Sequence, residues 1–126
     1  MHDNYPTDDW IMELFKDWFD PCPLVNGEYS VNGLERDWND MTYVNPPYSR
    51  PLDWIKKAIK EHKKGKTIAL LLRVDTSTEW FKLLIENKAH ILWINKRLKH
   101  RTGKSANFPS MLVILSKEEL KKEVLK

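Results

Sequence analysis

A chain of 126 residues with 41% hydrophobic residues and six Trp is sized for one domain with a real core, which excludes a disordered tail. The formal net charge of +3 conceals a split: residues 1–45 hold ten Asp/Glu against two Lys/Arg, and residues 46–126 hold eight against nineteen. Such asymmetry points to a polyanion facing the second part, with solvated helix faces as the plain alternative. The single cysteine, Cys22, cannot form an internal disulfide, so a reducing cytosol is the expected compartment and a small buried apolar role the expected use. No apolar run approaches the roughly 18 residues that span a bilayer, and no signal-peptide pattern opens the chain, so no membrane association is expected. The four His residues lack ligand spacing, and no metal site is expected.

Thr7 suits an N-cap, with Asp8 and Asp9 in the first turn. Trp10, Ile11, Leu14, Phe15, Trp18 and Phe19 follow at helical spacing and predict one amphipathic helix. Asp20-Pro21-Cys22-Pro23 reads as a strand end or loop. Residues 24–40 are rich in Asn, Gly and Asp and read as irregular. Residues 41–45 predict a short strand, and Pro51 opens a helix through Leu52, Ile55, Ala58 and Ile59 that Gly65 ends. Thr67 to Leu72 predicts a buried strand, Thr76 to Thr78 cap a helix carrying Trp80, Phe81, Leu84 and Ile85, and His90 to Ile94 is another strand. A basic loop over 95–109, a strand from Met111 to Leu115 and a helix opened by a Ser116/Glu119 capping box complete the pattern.

Alternating strands and helices predict an α/β sheet with parallel crossovers, while the last two strands have the option of pairing antiparallel across the basic loop. Ligands of open sheets sit beyond the carboxyl ends of the strands. Asp20, Asn45 and Arg73 to Thr76 all follow predicted strands and are expected to converge on one crevice.

The most specific signal is Asn45-Pro46-Pro47-Tyr48 after the strand Met41–Val44. Two prolines stiffen the turn and remove backbone donors. The Asn supplies an amide oxygen and the Tyr a flat π-face. Such a set suits a planar group with an exocyclic NH2, whose hydrogens bond to the Asn oxygen and a proline carbonyl while the ring stacks on the Tyr. A rigid strand-to-helix turn with nothing bound is the alternative.

With Tyr5-Pro6-Thr7, Phe19-Asp20-Pro21-Cys22, Gly33-Leu34-Glu35-Arg36-Asp37-Trp38, Asn45 to Ser49, Leu70 to Thr76 with Trp80-Phe81, and Lys96-Arg97-Leu98-Lys99, the chain resembles the phage-type DNA N-6-adenine methyltransferase family over roughly residues 5–115. Two segments depart from it: the family usually has Thr-Pro where this chain has Pro6-Thr7, and Gly-Arg-Leu-x-Phe where it has Lys96-Arg97-Leu98-Lys99-His100. The resemblance implies a compact, reduced Rossmann-like methyltransferase sheet with flanking helices, one domain over 1–126 and no separate target-recognition domain. It implies S-adenosyl-L-methionine as cofactor and double-stranded DNA as partner, with host cytoplasm as the compartment if the chain is virus-encoded. Asn45, Pro46, Pro47 and Tyr48 would then be catalytic. Tyr5, Pro6 and Thr7 would touch the methionine part of the cofactor, Asp20 and Pro21 a hydroxyl or its amino group, and Asp37 and Trp38 its adenine. Arg73, Asp75 and Trp80 match the family's strand-to-helix region beyond the tetrapeptide.

Six Lys between Lys56 and Lys66, and five Lys/Arg between Lys96 and Lys104, are the phosphate-contact candidates. Of these Lys96, Arg97, Lys99, Arg101 and Lys104, with Ser49 and Arg50, are assigned to DNA. Six Trp in a short chain are compatible with a homodimer. No Gly-x-Gly fingerprint is present, only Gly27, Gly33, Gly65 and Gly103. That absence keeps open a non-catalytic nucleic-acid-binding relative. Methylation of another planar amine, such as an RNA base or a glutamine amide, is a second alternative, because the same tetrapeptide occurs in those families, although they normally carry a glycine-rich cofactor strand well upstream and only 44 residues precede the tetrapeptide here.

Overall fold

Seven residues from Thr67 to Arg73 form the strand around which the rest is arranged. The structure is a computed structural model and describes residues 9–25, 28–29, 32–47, 49–95, 98 and 108–117. Its elements in chain order are α1 (Asp9–Leu14), β1 (Leu24–Val25), β2 (Glu28–Tyr29), a 3-10 turn (Asn32–Glu35), β3 (Met41–Val44), α2 (Pro51–His62), β4 (Thr67–Arg73), α3 (Glu79–Glu86), β5 (His90–Trp93) and β6 (Ser110–Leu115). β3, β4, β6 and β5 form one sheet in that order. β3 and β4 run parallel, with Val44 opposite Leu70. β6 lies antiparallel between β4 and β5. The sheet is therefore mixed: among its named strands the described residues pair in parallel at β3–β4, across α2, and the last two strands take the antiparallel option. β1 and β2 pair in a minimal antiparallel hairpin within the stretch expected to be irregular.

The alternation of β4 splits the core into two layers, because successive side chains leave a strand on opposite faces. Ile68, Leu70 and Leu72 join Val44, Met111, Val113 and Leu115 under α2 and α3. Ala69 and Leu71 join Tyr43, Leu112, Leu98 and Ile11 on the other face. A strand buried on both faces explains why Thr67–Leu72 is continuously apolar. α2 contributes Trp54, Ile55, Ala58 and Ile59 to the first layer, and α3 contributes Trp80 and Leu84. Thr78 caps α3 through its side-chain oxygen, which accepts the Phe81 N–H at 3.2 Å. Gly65 sits at φ +98° just past α2, where a side chain would be strained.

The first helix is shorter than its aromatic spacing predicts. It stops at Leu14, because Phe15 turns in to stack on Tyr43 with ring centroids 4.7 Å apart. Trp18 meets Phe15 edge-on at 4.8 Å. Phe19 then leaves helical conformation altogether. Its N–H donates to the Met41 carbonyl, its carbonyl accepts the Tyr43 N–H, and it makes a parallel bridge to Thr42. Tertiary stacking and one extra rung of sheet override the helical pattern. The expected C-terminal helix and the Thr7 cap lie outside the described residues.

Gly33 lies in the 3-10 turn directly against Pro21. A Cβ placed there would come within 2.0 Å of the Pro21 carbonyl oxygen and 2.7 Å of its Cβ. Gly33→Ala should therefore destabilise the fold by about 1–3 kcal/mol, the usual cost of overpacking. The measurement is urea unfolding, and an unchanged midpoint would mean that the 3-10 turn can move away from Pro21.

Candidate active site

Three chain segments leave the sheet at one edge. The bridge at Phe19 runs parallel to β3, and β3 runs parallel to β4. Asp20-Pro21-Cys22, Asn45-Pro46-Pro47 and Arg73-Val74-Asp75 therefore emerge side by side at the carboxyl ends, with the asparagine segment in the middle. Open α/β sheets bind ligands at such an edge. Because Val44 pairs with Leu70, β4 continues for Leu71, Leu72 and Arg73 alongside the segment that begins at Asn45.

Asn45 is 9% exposed, and Pro46 and Pro47 are buried. The Pro47 carbonyl accepts the Arg50 N–H at 3.2 Å, so it is engaged within the turn. A small crevice opens beside the prolines. Leu71 and Leu72 line it together with Pro46, Pro47 and Pro51, and Arg73 and Trp80 complete its wall. The lining is apolar and aromatic with one guanidinium, which suits a flat group carrying negative charge nearby. Arg73 lies 4.0 Å from Asp75, whose Oδ1 accepts the Ser77 hydroxyl and N–H. These Ser77 bonds hold the Asp75 carboxyl below its ordinary range, and the charge of Arg73 adds to the effect. Ser49 and Arg50 lie exposed just past the turn, and Arg50 makes a solvent-facing ion pair with Asp53 at 3.1 Å.

Asp20 occupies the neighbouring exit. Its Oδ1 accepts the Cys22 N–H at 2.9 Å, closing a tight turn around Pro21. Desolvation raises its carboxyl above the ordinary value, and the Cys22 hydrogen bond opposes that shift. The Cys22 thiol is buried and pushed up to about 12 by desolvation and by the Asp20 charge, which makes it an inert core residue. The Arg36 guanidinium lies 4.8 Å over the Phe19 ring.

Asp37 and Trp38 have opposite surroundings. The Asp37 carboxylate is 86% exposed and accepts a hydrogen bond from Lys64 at 3.2 Å, which lowers its pKa. Trp38 is a core residue at 3% exposure, with its ring 6.3 Å from that of Trp54. Its indole N–H donates to the Gly33 carbonyl at 2.8 Å, its backbone N–H to Glu61 at 3.0 Å, and its carbonyl accepts from Lys66 at 2.5 Å.

Glu61 is the polar residue that sequence reasoning missed. It is fully buried on α2 and accepts from Lys57 at 3.1 Å, Lys64 at 2.8 Å and Lys66 at 2.5 Å. The spacing Lys57-Glu61-Lys64 was a signal of helical ion pairing, but its burial is a tertiary fact. Removing one partner of a buried pair costs about 3–5 kcal/mol, so this cluster matters far more than the exposed pairs. It also redirects part of the basic surface expected over 56–66. Lys57, Lys64 and Lys66 are turned inward onto Glu61, which offsets one of their three charges, while Lys56, Lys60 and Lys63 are exposed and make no ion pair with it.

Tyr5, Pro6, Thr7, Tyr48, Lys96, Arg97, Lys99, Arg101 and Lys104 lie outside the described residues. Among the described residues no group of His, Cys, Asp and Glu could hold a metal ion, and no helix is long and apolar enough to cross a membrane.

A family model described as DNA N-6-adenine-methyltransferase (Dam) matches residues 28–124. The matched span contains the Asn45–Tyr48 tetrapeptide and begins after Asp20 and Pro21. The chain is 30% identical over 134 aligned positions to the DNA N-6-adenine-methyltransferase of Haemophilus phage HP1, covering 89% of this chain and 78% of that protein. It is 44% identical over 70 positions to the DNA N-6-adenine-methyltransferase of Escherichia phage T1, covering 54% of this chain and 29% of that protein. No solved structure gives a significant match.

The buried carboxylate makes stability depend on pH with a definite sign. Burial raises the Glu61 pKa, but the hydrogen bonds from Lys64, Lys66, the Trp38 N–H and Lys57 outweigh it and hold the carboxyl well below its ordinary value of 4.5. A folded-state pKa below the unfolded one gives stability that is present above the unfolded value and lost as pH falls through the folded value. Wild type should therefore lose more stability between about pH 7 and pH 3 than Glu61→Gln does. Urea midpoints at the two pH values measure this, and equal losses would show that Glu61 is not held ionised.

Proposed function

The chain belongs to the DNA N-6-adenine-methyltransferase family, and from that premise we propose that it methylates adenine N6 in DNA, using S-adenosyl-L-methionine and holding a flipped base at Asn45–Tyr48. The observation that carries this reading is the seat of Asn45-Pro46-Pro47. They lie at the shared carboxyl edge of the parallel strands, between an acidic exit at Asp20 and a basic one at Arg73.

The adenine amine is a poor nucleophile, because its lone pair is delocalised into the ring. Asn45 Oδ1 and the Pro46 carbonyl accept its two N–H groups and turn the lone pair out of conjugation. Tyr48 stacks on the base and fixes its plane. No strong base needs to stand beside N6: as the N6–carbon bond would form, the sulfonium C–S bond would break to leave S-adenosylhomocysteine, and the N6 proton, made acidic by the new bond, would pass to water. Catalysis is then mostly alignment and oriented dipoles. Base extrusion costs a few kcal/mol, which contacts to the flipped base and backbone offset.

The residues at the Asp20 exit fit the cofactor. A desolvated carboxylate stands beside a stiff Pro21 turn, where it can accept from ribose hydroxyls and favour a cationic ligand. S-adenosylmethionine, when bound, supplies an electrophilic sulfonium methyl group. Asp37 offers an exposed carboxylate to the adenine end of the cofactor, while Trp38 serves as the wall behind it. Tyr5, Pro6 and Thr7 are assigned to its methionine part. DNA phosphates fall to Ser49, Arg50, Lys96, Arg97, Lys99, Arg101 and Lys104, with Lys56, Lys60 and Lys63 on the face of α2 as further contacts. The absence of a Gly-x-Gly loop favours one rival, a nucleic-acid-binding relative without cofactor. Calorimetry with S-adenosylmethionine, alone and with DNA, separates the two.

Asn45→Ala should abolish methyl transfer from labelled S-adenosylmethionine to DNA while leaving cofactor affinity within about twofold, because Asn45 acts on the target amine. Equal loss of cofactor binding would move Asn45 to the cofactor side. Replacing Lys96, Arg97, Lys99 and Arg101 together by neutral residues should flatten the plot of log K against log salt by about 0.9 per lost phosphate contact. An unchanged slope would place these residues away from DNA.

A further inference from the structure

We infer that Glu61 is a positioning residue for methyl transfer: the buried carboxylate on α2 fixes the cofactor-side segments Asp20–Cys22 and Asp37–Trp38 relative to the target-side turn Asn45–Pro47. The inference rests on the proposed reading of those segments, and it concerns a residue that touches neither ligand.

Both oxygens of Glu61 are engaged. Oε1 accepts the Trp38 N–H and Lys66, and Oε2 accepts Lys57 and Lys64. Two of these lysines reach beyond Glu61. Lys66 also bonds the Trp38 carbonyl, so the peptide groups on both sides of Trp38 are gripped from one centre. Lys64 also reaches Asp37 Oδ1. From Trp38 the grip passes along the indole N–H to the Gly33 carbonyl, and Gly33 is pressed against the backbone of Pro21. Pro21 is enclosed by the turn that Asp20 Oδ1 closes on the Cys22 N–H. A continuous chain of short contacts thus runs from Glu61 to Asp20.

The other end of the same helix is joined to the target side. α2 begins at Pro51, and the Arg50 N–H in front of it is bonded to the Pro47 carbonyl. One rigid helix therefore carries the asparagine turn at its start and the grip on the acidic segments at its end. A buried charge cluster adds little stability over apolar residues of the same volume. What it supplies here is one geometry, since three ammonium groups and a backbone N–H converge on two oxygens. At metal sites, groups that orient a ligand from behind alter affinity or activity by about 10- to 100-fold when removed, and an effect at the lower end is expected for Glu61 by the same logic.

The test uses the full chain with Glu61→Gln and Lys64→Met. Lys64 is half exposed, so its replacement reports on the Asp37 tie even if the first variant fails to fold. Thermal unfolding sets the folded fraction of each. Glu61→Gln should raise the KM for S-adenosylmethionine about 10-fold, with kcat changed less than about threefold and DNA affinity unchanged. Lys64→Met should raise the same KM about threefold, and Lys64→Arg, which keeps the donor, should restore it. Folded variants with wild-type KM would overturn the inference and leave the proposed function standing. So would losses of kcat and of both KM values that merely track the folded fraction. If wild type itself fails to bind S-adenosylmethionine with or without DNA, the proposed function falls and the inference falls with it.

Discussion

Parallel pairing on both sides of β3 is the constraint on which the rest depends. With Phe19 bridged to one side and β4 to the other, three segments must leave the sheet in the same direction. No binding loop then needs to be long. Between Asp9 and Phe19 the chain forms a six-residue helix and a turn, and a single helix connects β3 to β4. This is how a short chain gathers an acidic, an amide-bearing and a basic exit along one edge. The cost falls on the face away from α2 and α3, which α1 covers thinly: Trp10, Met12 and Leu14 remain exposed there.

Local chemistry announced most of the elements between 41 and 94. Pro51 at the start of α2, the Thr78 cap of α3 and the apolar run of β4 each follow from the residue concerned and its immediate neighbours. What was not legible depended on distant partners. The aromatic residues from Trp10 to Phe19 have helical spacing, yet Tyr43 captures Phe15 and β3 captures Phe19. The antiparallel placing of β6 between β4 and β5 is a choice of partner, and no strand records that choice in its own composition.

The site was legible to a similar depth. The Asn-Pro-Pro turn after a strand marked the centre of the proposed site, and the expected convergence of Asp20 and Arg73 on the same sheet edge is the part that the fold reproduces. Trp38 was legible as an aromatic beside an acidic residue, but its burial against Trp54 was not. Lysine counting between 56 and 66 gave six candidates for phosphate contact. The buried Glu61 shows the limit of counting: ammonium groups turned inward onto a carboxylate are held away from a phosphate on the surface. The Gly33 contact with Pro21 has the same origin, since a glycine in an Asn-Gly pair reads as turn chemistry until its neighbour in space is known.

The place of β6 in the sheet has a consequence for the order of assembly. Among the described residues β5 is hydrogen-bonded in the sheet to β6 alone, and β6 covers the side of β4 away from β3. On a ribosome, β3, α2 and β4 can form their parallel unit as soon as they emerge. β5 emerges next and must wait unpaired until residues 110–115 arrive and slide between it and β4. During that interval the apolar edge of β4 is open to any extended chain nearby. Closure of the non-local β4–β6 ladder is the step that ends this exposure.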